Sequence, residues 1–209
     1  MAARVICVSR AIFTGAEKIA TEVARQLGFR YVDEEIVARA AQRRNLTAAE
    51  VGSAERRKSF LAQFARNVGE GSADLISYIA NSKEPKAADD VRELIREAIV
   101  ETADEGNVVI VAHAASYALP RRKDVLRVLI TGSEFARATR WLADSGGKSP
   151  REAAESIRDS DAARADYLRR FYDVKAESPQ DYDICLSVDS MNEAAITDLV
   201  LRAAAAVSA

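Results

Sequence analysis

The apolar pattern changes twice between Arg4 and Ala20, in the stretch RVICVSRAIFTGAEKIA. Val5, Ile6, Cys7 and Val8 form an unbroken apolar run, short enough for a strand buried on both faces. Ser9 to Gly15 reads as a loop. From Ala16 the period becomes helical, with Ile19, Ala20, Val23, Ala24 and Leu27 on one face and Gly28 as a stop. Phe29 to Val32 reads as a second short strand. Asp33 ends it and is placed to cap a helix over Glu34 to Arg44.

The next stretch has another character. Thr47-Ala48-Ala49-Glu50 is a capping box, and charges crowd at Glu55, Arg56, Arg57 and Lys58. Asn45 to about Lys86 therefore reads as a helical insertion. Clean amphipathic periodicity returns over Ala87 to Glu105, ended by Gly106. Asn107 to Ala112 is too short and too β-branched for a helix and predicts a strand, as does Val125 to Ile130. Ser133 is placed to cap a helix reaching Ala143. Gly146-Gly147 break the chain, and Ser149-Pro150-Arg151-Glu152 joins a capping box to a proline at the first helical position. That helix runs to about Tyr172. Asp183 to Val188 is the last strand, and Ser190-x-x-Glu193 caps a terminal helix. Short apolar strands alternating with helices predict an α/β protein with a five-stranded parallel sheet covered on both faces.

Composition narrows the class. Hydrophobic residues make up 48% and charged residues 30%, which is ordinary for a soluble globular protein. A net charge of −2 argues against a nucleic-acid partner held by a broad basic surface. No apolar stretch approaches the ~20 residues that span a bilayer. Cys7 and Cys185 both sit in apolar strand-like runs and read as buried free thiols, so a reducing, cytoplasmic location is expected. Neither has metal-ligand spacing, so no protein metal site is expected.

A buried strand, a small-residue loop and a helix N-terminus is the arrangement that cradles phosphate in α/β proteins. Ser9, Thr14 and Gly15 offer hydroxyl and backbone donors there. As a G-x-x-x-x-G-K-[ST] motif the loop fails, because only Gly15 survives. Glu17 opens the helix where a cation is expected, and Lys18 follows one position late, turned by about 100°.

Several separated stretches together resemble the cytidylate kinase-like family of nucleoside monophosphate kinases. Ser9-Arg10, Thr14-Gly15 and Ile19-Ala20 match its opening S-R-E-x-G-S-G-G-R-E-I-type loop. Gly28-Phe-Arg-Tyr31-Val-Asp33-Glu-Glu-Ile36 matches its G-x-x-Y-x-D-x-E-L-I element. Val109-Ile-Val-Ala112-His113-Ala-Ala115-Ser-Tyr117 matches V-I-V-G-R-x-A-x-Y, and Val125 to Ile130 leads into an arginine-bearing helix as the family does. Asp161-Ala-Ala-Arg164-Ala-Asp-Tyr167 matches a lid-like D-x-x-R-A-x-Y stretch, and Tyr182-Asp183-Ile-Cys-Leu is similar to the last strand.

The resemblance implies a three-layer P-loop kinase-like fold, with core 1–44, 87–143 and 179–209, the insertion at 45–86 and a lid at 144–178. It implies phosphoryl transfer from ATP, accompanied by Mg²⁺, to a CMP-like nucleoside monophosphate. ATP phosphates would lie over Ser9, Arg10, Thr14, Gly15, Ala16, Glu17 and Lys18. The acceptor would sit near Asp33, His113 and Asp161, with Arg158 and Arg164 closing over both. The departures fall at the phosphates: Phe13 and Ala16 replace glycines, Glu17 stands for arginine, and Ala112-His113 replaces a Gly-Arg pair. Phosphoryl transfer is mostly positioning and charge stabilisation, and one supplied arginine can be worth about 10³-fold or more. The residues therefore leave a rival open: an inactive kinase-fold module that binds a nucleotide or a protein partner. Oligomeric state stays open too, a homodimer included.

Taken without the family, Arg158, Asp161 and Arg164 are spaced three apart on one helix side and read first as a solvated salt-bridge ladder; the lid reading draws level with it only through the resemblance.

Overall fold

A computed structural model of the chain describes residues 3–33, 96–112, 115–119, 122–145 and 149–207. The expected helices at 34–44 and 45–86, the Gly146-Gly147 break and His113 lie outside the described residues.

Five strands, β1 Val5–Arg10, β2 Arg30–Asp33, β3 Val108–Val111, β4 Val125–Thr131 and β5 Ile184–Ser187, form one parallel sheet in the order β2-β3-β1-β4-β5. The apolar run of β1 occupies the centre, which is why all six of its residues are buried. Its side chains alternate between faces. Val5 and Cys7 join Val108, Ile110, Ala98, Ala103 and Leu168 on one side. Ile6 and Val8 join Ile19, Val23, Val128, Ile196 and Val200 on the other. The helices follow: α1 Ala16–Leu27, α2 over 96–105, the short α3 Ala115–Ala118, α4 Glu134–Ser145, α5 Pro150–Tyr172 and α6 Glu193–Ala206. α1 and α6 cover one face together, and α2 with α5 covers the other. Three layers result.

Local chemistry sets the ends of these elements. Gly28 closes α1 with φ 66°, a left-handed conformation that L side chains disfavour. The Ser149 hydroxyl accepts from the Glu152 amide at 3.3 Å and the Glu152 carboxylate accepts from the Ser149 amide at 2.7 Å, so the expected capping box is formed, with Pro150 at the first helical position. The Ser133 hydroxyl accepts from the Ala136 amide at 3.2 Å, and α4 runs two residues further than the periodicity suggests, to Ser145.

Several details differ from the sequence reading. β2 is shifted one residue on, to Arg30–Asp33, and β3 and β5 are shorter than their apolar runs. α6 is capped by Asn192, whose carbonyl oxygen accepts from the Ala195 amide at 2.9 Å, and not by Ser190. The turn at 188–190 takes up Ser190 and leaves Asn192 at the helix start.

Cys185 is exposed, because β5 is the strand next to β4 alone and turns this side chain outward. Cys7 is fully buried, and burial pushes its thiol up to about 12. A thiol-reactive dye should therefore label one equivalent of native protein, at Cys185, and a second only in denaturant. Two rapid equivalents from the native state would remove Cys7 from the central strand. Among the described residues no helix is long and apolar enough to cross a membrane.

Candidate functional site

The site is built on the bend between β1 and α1, at the carboxyl ends of the strands. β1 delivers Ser9 and Arg10, both buried, to this rim. The Ser9 hydroxyl lies 3.4 Å from that of Ser116. The Ala11 amide donates to the Ile130 carbonyl at 3.0 Å, and the chain then turns. The Thr14 hydroxyl donates to the Ala11 carbonyl at 2.9 Å, which tightens the turn. Gly15, at φ 73°, is the N-cap residue of α1 and has no side chain to cap its first amides. Phe13 adopts φ 63°, a conformation that costs a bulky residue about 1–3 kcal/mol. Its ring rests on Trp141 with centroids 5.4 Å apart, which holds it there.

Arginine is abundant at this rim, and each of four guanidinium groups meets a carboxylate. Arg10 Nε lies 2.5 Å from Glu17 Oε1, so Glu17 at the start of α1 neutralises the cation at the end of β1. Arg137 on α4 donates from Nη1 and Nη2 to the two Asp161 oxygens at 2.9 and 2.6 Å, a two-pronged contact across to α5. Arg140, one helical turn on, donates to Glu193 at the start of α6. Arg164 donates from Nε and Nη2 to Glu177 at 3.0 and 2.5 Å, to the Tyr182 hydroxyl at 3.3 Å, and from Nη1 to the Arg10 carbonyl at 3.4 Å. The Tyr182 hydroxyl donates to Glu177 as well. Burial, and then the hydrogen bond to Glu177 and its charge, hold the Tyr182 phenol above its ordinary range against the opposing charge of Arg164. Burial alone would lower the Arg164 value, but its bond and charge contact with Glu177 outweigh that and raise it.

A cavity of about 230 Å³ opens between the end of β4 and α5. Leu129 and Thr131 line it from the sheet, with Arg137, Asp161, Arg164 and Glu177 around it. Both arginines are nearly inaccessible, at 5% and 7% exposure, so their charges act in a medium less screening than water. The Nε–H of Arg137 is buried and has no hydrogen-bond partner among the described residues.

The residues singled out from sequence distribute as follows. Ser9, Arg10, Thr14, Gly15, Ala16 and Glu17 stand together at the bend. Lys18 does not join them: it is largely exposed, with Nζ 4.0 Å from Asp144 Oδ2 near the end of α4. Asp33 ends β2, with β3 between it and β1. Arg158, Asp161 and Arg164 make no ladder with one another, which corrects that reading. Arg158 faces Glu134 at 3.5 Å, Asp161 holds Arg137, and Arg164 holds Glu177. Sequence reasoning missed Arg137, Arg140, Glu177 and Glu193. The only signal for the first two was that the helix after β4 carries arginines one turn apart. Among the described residues no group of three or more histidine, cysteine or acidic side chains is arranged to hold a metal ion.

Residues 5–190 match the family model described as the cytidylate kinase-like family. No curated protein matches the sequence. Among solved structures, an uncharacterized protein from Eubacterium ventriosum superposes with a TM-score of 0.67 at 16% identity, over 96% of this chain and 97% of that one. TT1252 from Thermus thermophilus superposes with a TM-score of 0.51 at 19% identity, over 100% of each chain. At such identities the likeness is one of fold.

Proposed function

The chain belongs to the cytidylate kinase-like family, and from that premise we propose that it transfers a phosphoryl group from ATP to a nucleoside monophosphate, CMP-like and at a low rate. One observation carries the reading: two buried guanidinium groups, Arg137 and Arg164, line a cavity at the carboxyl ends of the strands beside the β1–α1 bend. Charge spreads over the equatorial oxygens of a transferring phosphoryl group, and fixed cations in a poorly screened cavity are what stabilises it.

The low rate follows from compensation. Arg10, Arg137, Arg140 and Arg164 each have a carboxylate in contact, so a phosphate must compete with it. In this reading ATP phosphates lie over residues 9–18, with the first amides of α1 as donors, the Thr14 hydroxyl proton being engaged by the Ala11 carbonyl. The acceptor lies toward Asp33, and Asp161 and Arg164 approach it from α5. Arg158 closes from the exposed side of the same helix. Mg²⁺ enters with ATP as part of the substrate and supplies charge neutralisation on the phosphates.

A second reading, nucleotide binding without transfer, is favoured by Lys18, which extends toward Asp144 and away from the bend. Incubation of the purified protein with MgATP and each nucleoside monophosphate decides between them. ADP formation that depends on one acceptor is the expected result. No ADP with any acceptor, together with a higher Tm in MgATP, would establish the second reading, because a ligand bound only by the folded state stabilises it. In the same assay Glu17→Gln, which leaves Arg10 without the carboxylate at 2.5 Å, is expected to raise the acceptor-dependent rate about tenfold. An unchanged rate would mean that Arg10 does not face the transferred group.

A further inference from the structure

Gly15 is crowded by an ion pair from two distant parts of the chain. A Cβ there would lie 2.6 Å from Arg140 Nη2 and 2.8 Å from Glu193 Oε1. Arg140 belongs to α4 and Glu193 to the first turn of α6, so their contact bridges the two helices directly over the residue that starts α1. Gly15, the N-cap residue of α1, has no side chain to cap the first amides, whereas α5 and α6 are capped by Ser149 and Asn192. Uncapped amides at the positive end of a helix attract anions. Here a carboxylate of the protein itself, Glu193, sits beside Gly15, and it is only partly withdrawn from solvent, at 39% exposure.

We propose that the Arg140–Glu193 pair is an autoinhibitory gate, which has to part before a nucleoside triphosphate can lay its phosphates on the β1–α1 bend. The proposal rests on the nucleotide-binding reading given above for the identity of the anion. Its physical content is a trade of partners. In the closed form Glu193 neutralises Arg140 and adds a negative charge beside the approach to α1. In the open form the polyphosphate takes over Arg140, and the carboxylate turns out to solvent. A strut that merely ties α4 to α6 would have neither effect on a ligand. The gate is also placed where it can be watched. Trp141, the single tryptophan, follows Arg140 in sequence and packs on Phe13 of the bend.

Two measurements on the full chain test it. The first is acrylamide quenching of Trp141 fluorescence with no ligand present, in the native protein, Glu193→Ala and Glu193→Gln. The second is MgATP titration of the same three by calorimetry, with Asp198→Asn as control. Asp198 lies on α6 as well, but pairs with Arg202. The expected result is easier quenching in Glu193→Ala and MgATP affinity raised about tenfold in both Glu193 variants, the control unchanged. If Glu193→Ala does not fold, the charge-only variant Glu193→Gln carries the affinity test alone. Unchanged quenching and unchanged affinity, with Tm lowered, would make the pair a strut and overturn the gate. Easier quenching with no MgATP bound by any form would keep the gate and overturn the nucleotide reading beneath it.

Discussion

Arg164→Ala is expected to destabilise the fold by about 3 kcal/mol, the low end of what breaking a buried ion pair costs. The guanidinium is buried and tied at four points, to both Glu177 oxygens, the Tyr182 hydroxyl and the Arg10 carbonyl. Alanine removes all four and leaves Glu177 and Tyr182 facing a void. The Glu177 side chain is 24% exposed and regains some water, which is why the upper end is not reached. In a chain of this size about 3 kcal/mol is roughly 6–12 °C in Tm. Urea denaturation of Arg164→Ala, Glu177→Gln and the double variant checks the assignment. The double variant should be less destabilised than the two single effects added together, because either one alone already breaks the shared contact. Strict additivity would mean that the two side chains do not interact in solution.

The second large effect sits at the bend. Gly15→Ala should cost about 2 kcal/mol and Gly28→Ala about 1 kcal/mol. Their backbones are nearly alike, with φ 73° and 66°, so the strain of a left-handed alanine is common to both. At Gly28 an added Cβ meets nothing within 4 Å. At Gly15 it meets the Arg140–Glu193 pair, and the difference between the two variants reads how firmly that pair is held. Equal losses in thermal unfolding would show that the pair moves aside without cost.

Much of the fold was legible because its signals are local. The apolar runs of β1, β3 and β4, the left-handed Gly28 and the Ser149–Glu152 box each involve neighbours in sequence, and each took the predicted form with ends moved by a residue or two. Asn192 against Ser190 shows the limit of such signals. Ser190 had the spacing of a capping box, but the preceding turn takes it up and the helix starts two positions later, at Asn192.

The site was less legible, because its pairings are long-range. Glu17 was recognisable as a carboxylate in the wrong place, but not as the partner of Arg10 across the bend. The three-residue spacing on α5 was real, yet it sends Asp161 to α4 and Arg164 to the segment after α5. Periodicity tells which side of a helix a residue occupies. It does not tell what the fold brings to that side.

Phe13 has a further consequence. Its backbone is held in an unfavourable conformation by a ring contact with Trp141, so the bend is spring-loaded against α4. Any tilt of α4 that slides the indole away lets Phe13 relax and redirects the amides that follow it. A displacement of α4 would thus be felt at the bend through Phe13 as well as at Arg137 and Arg140.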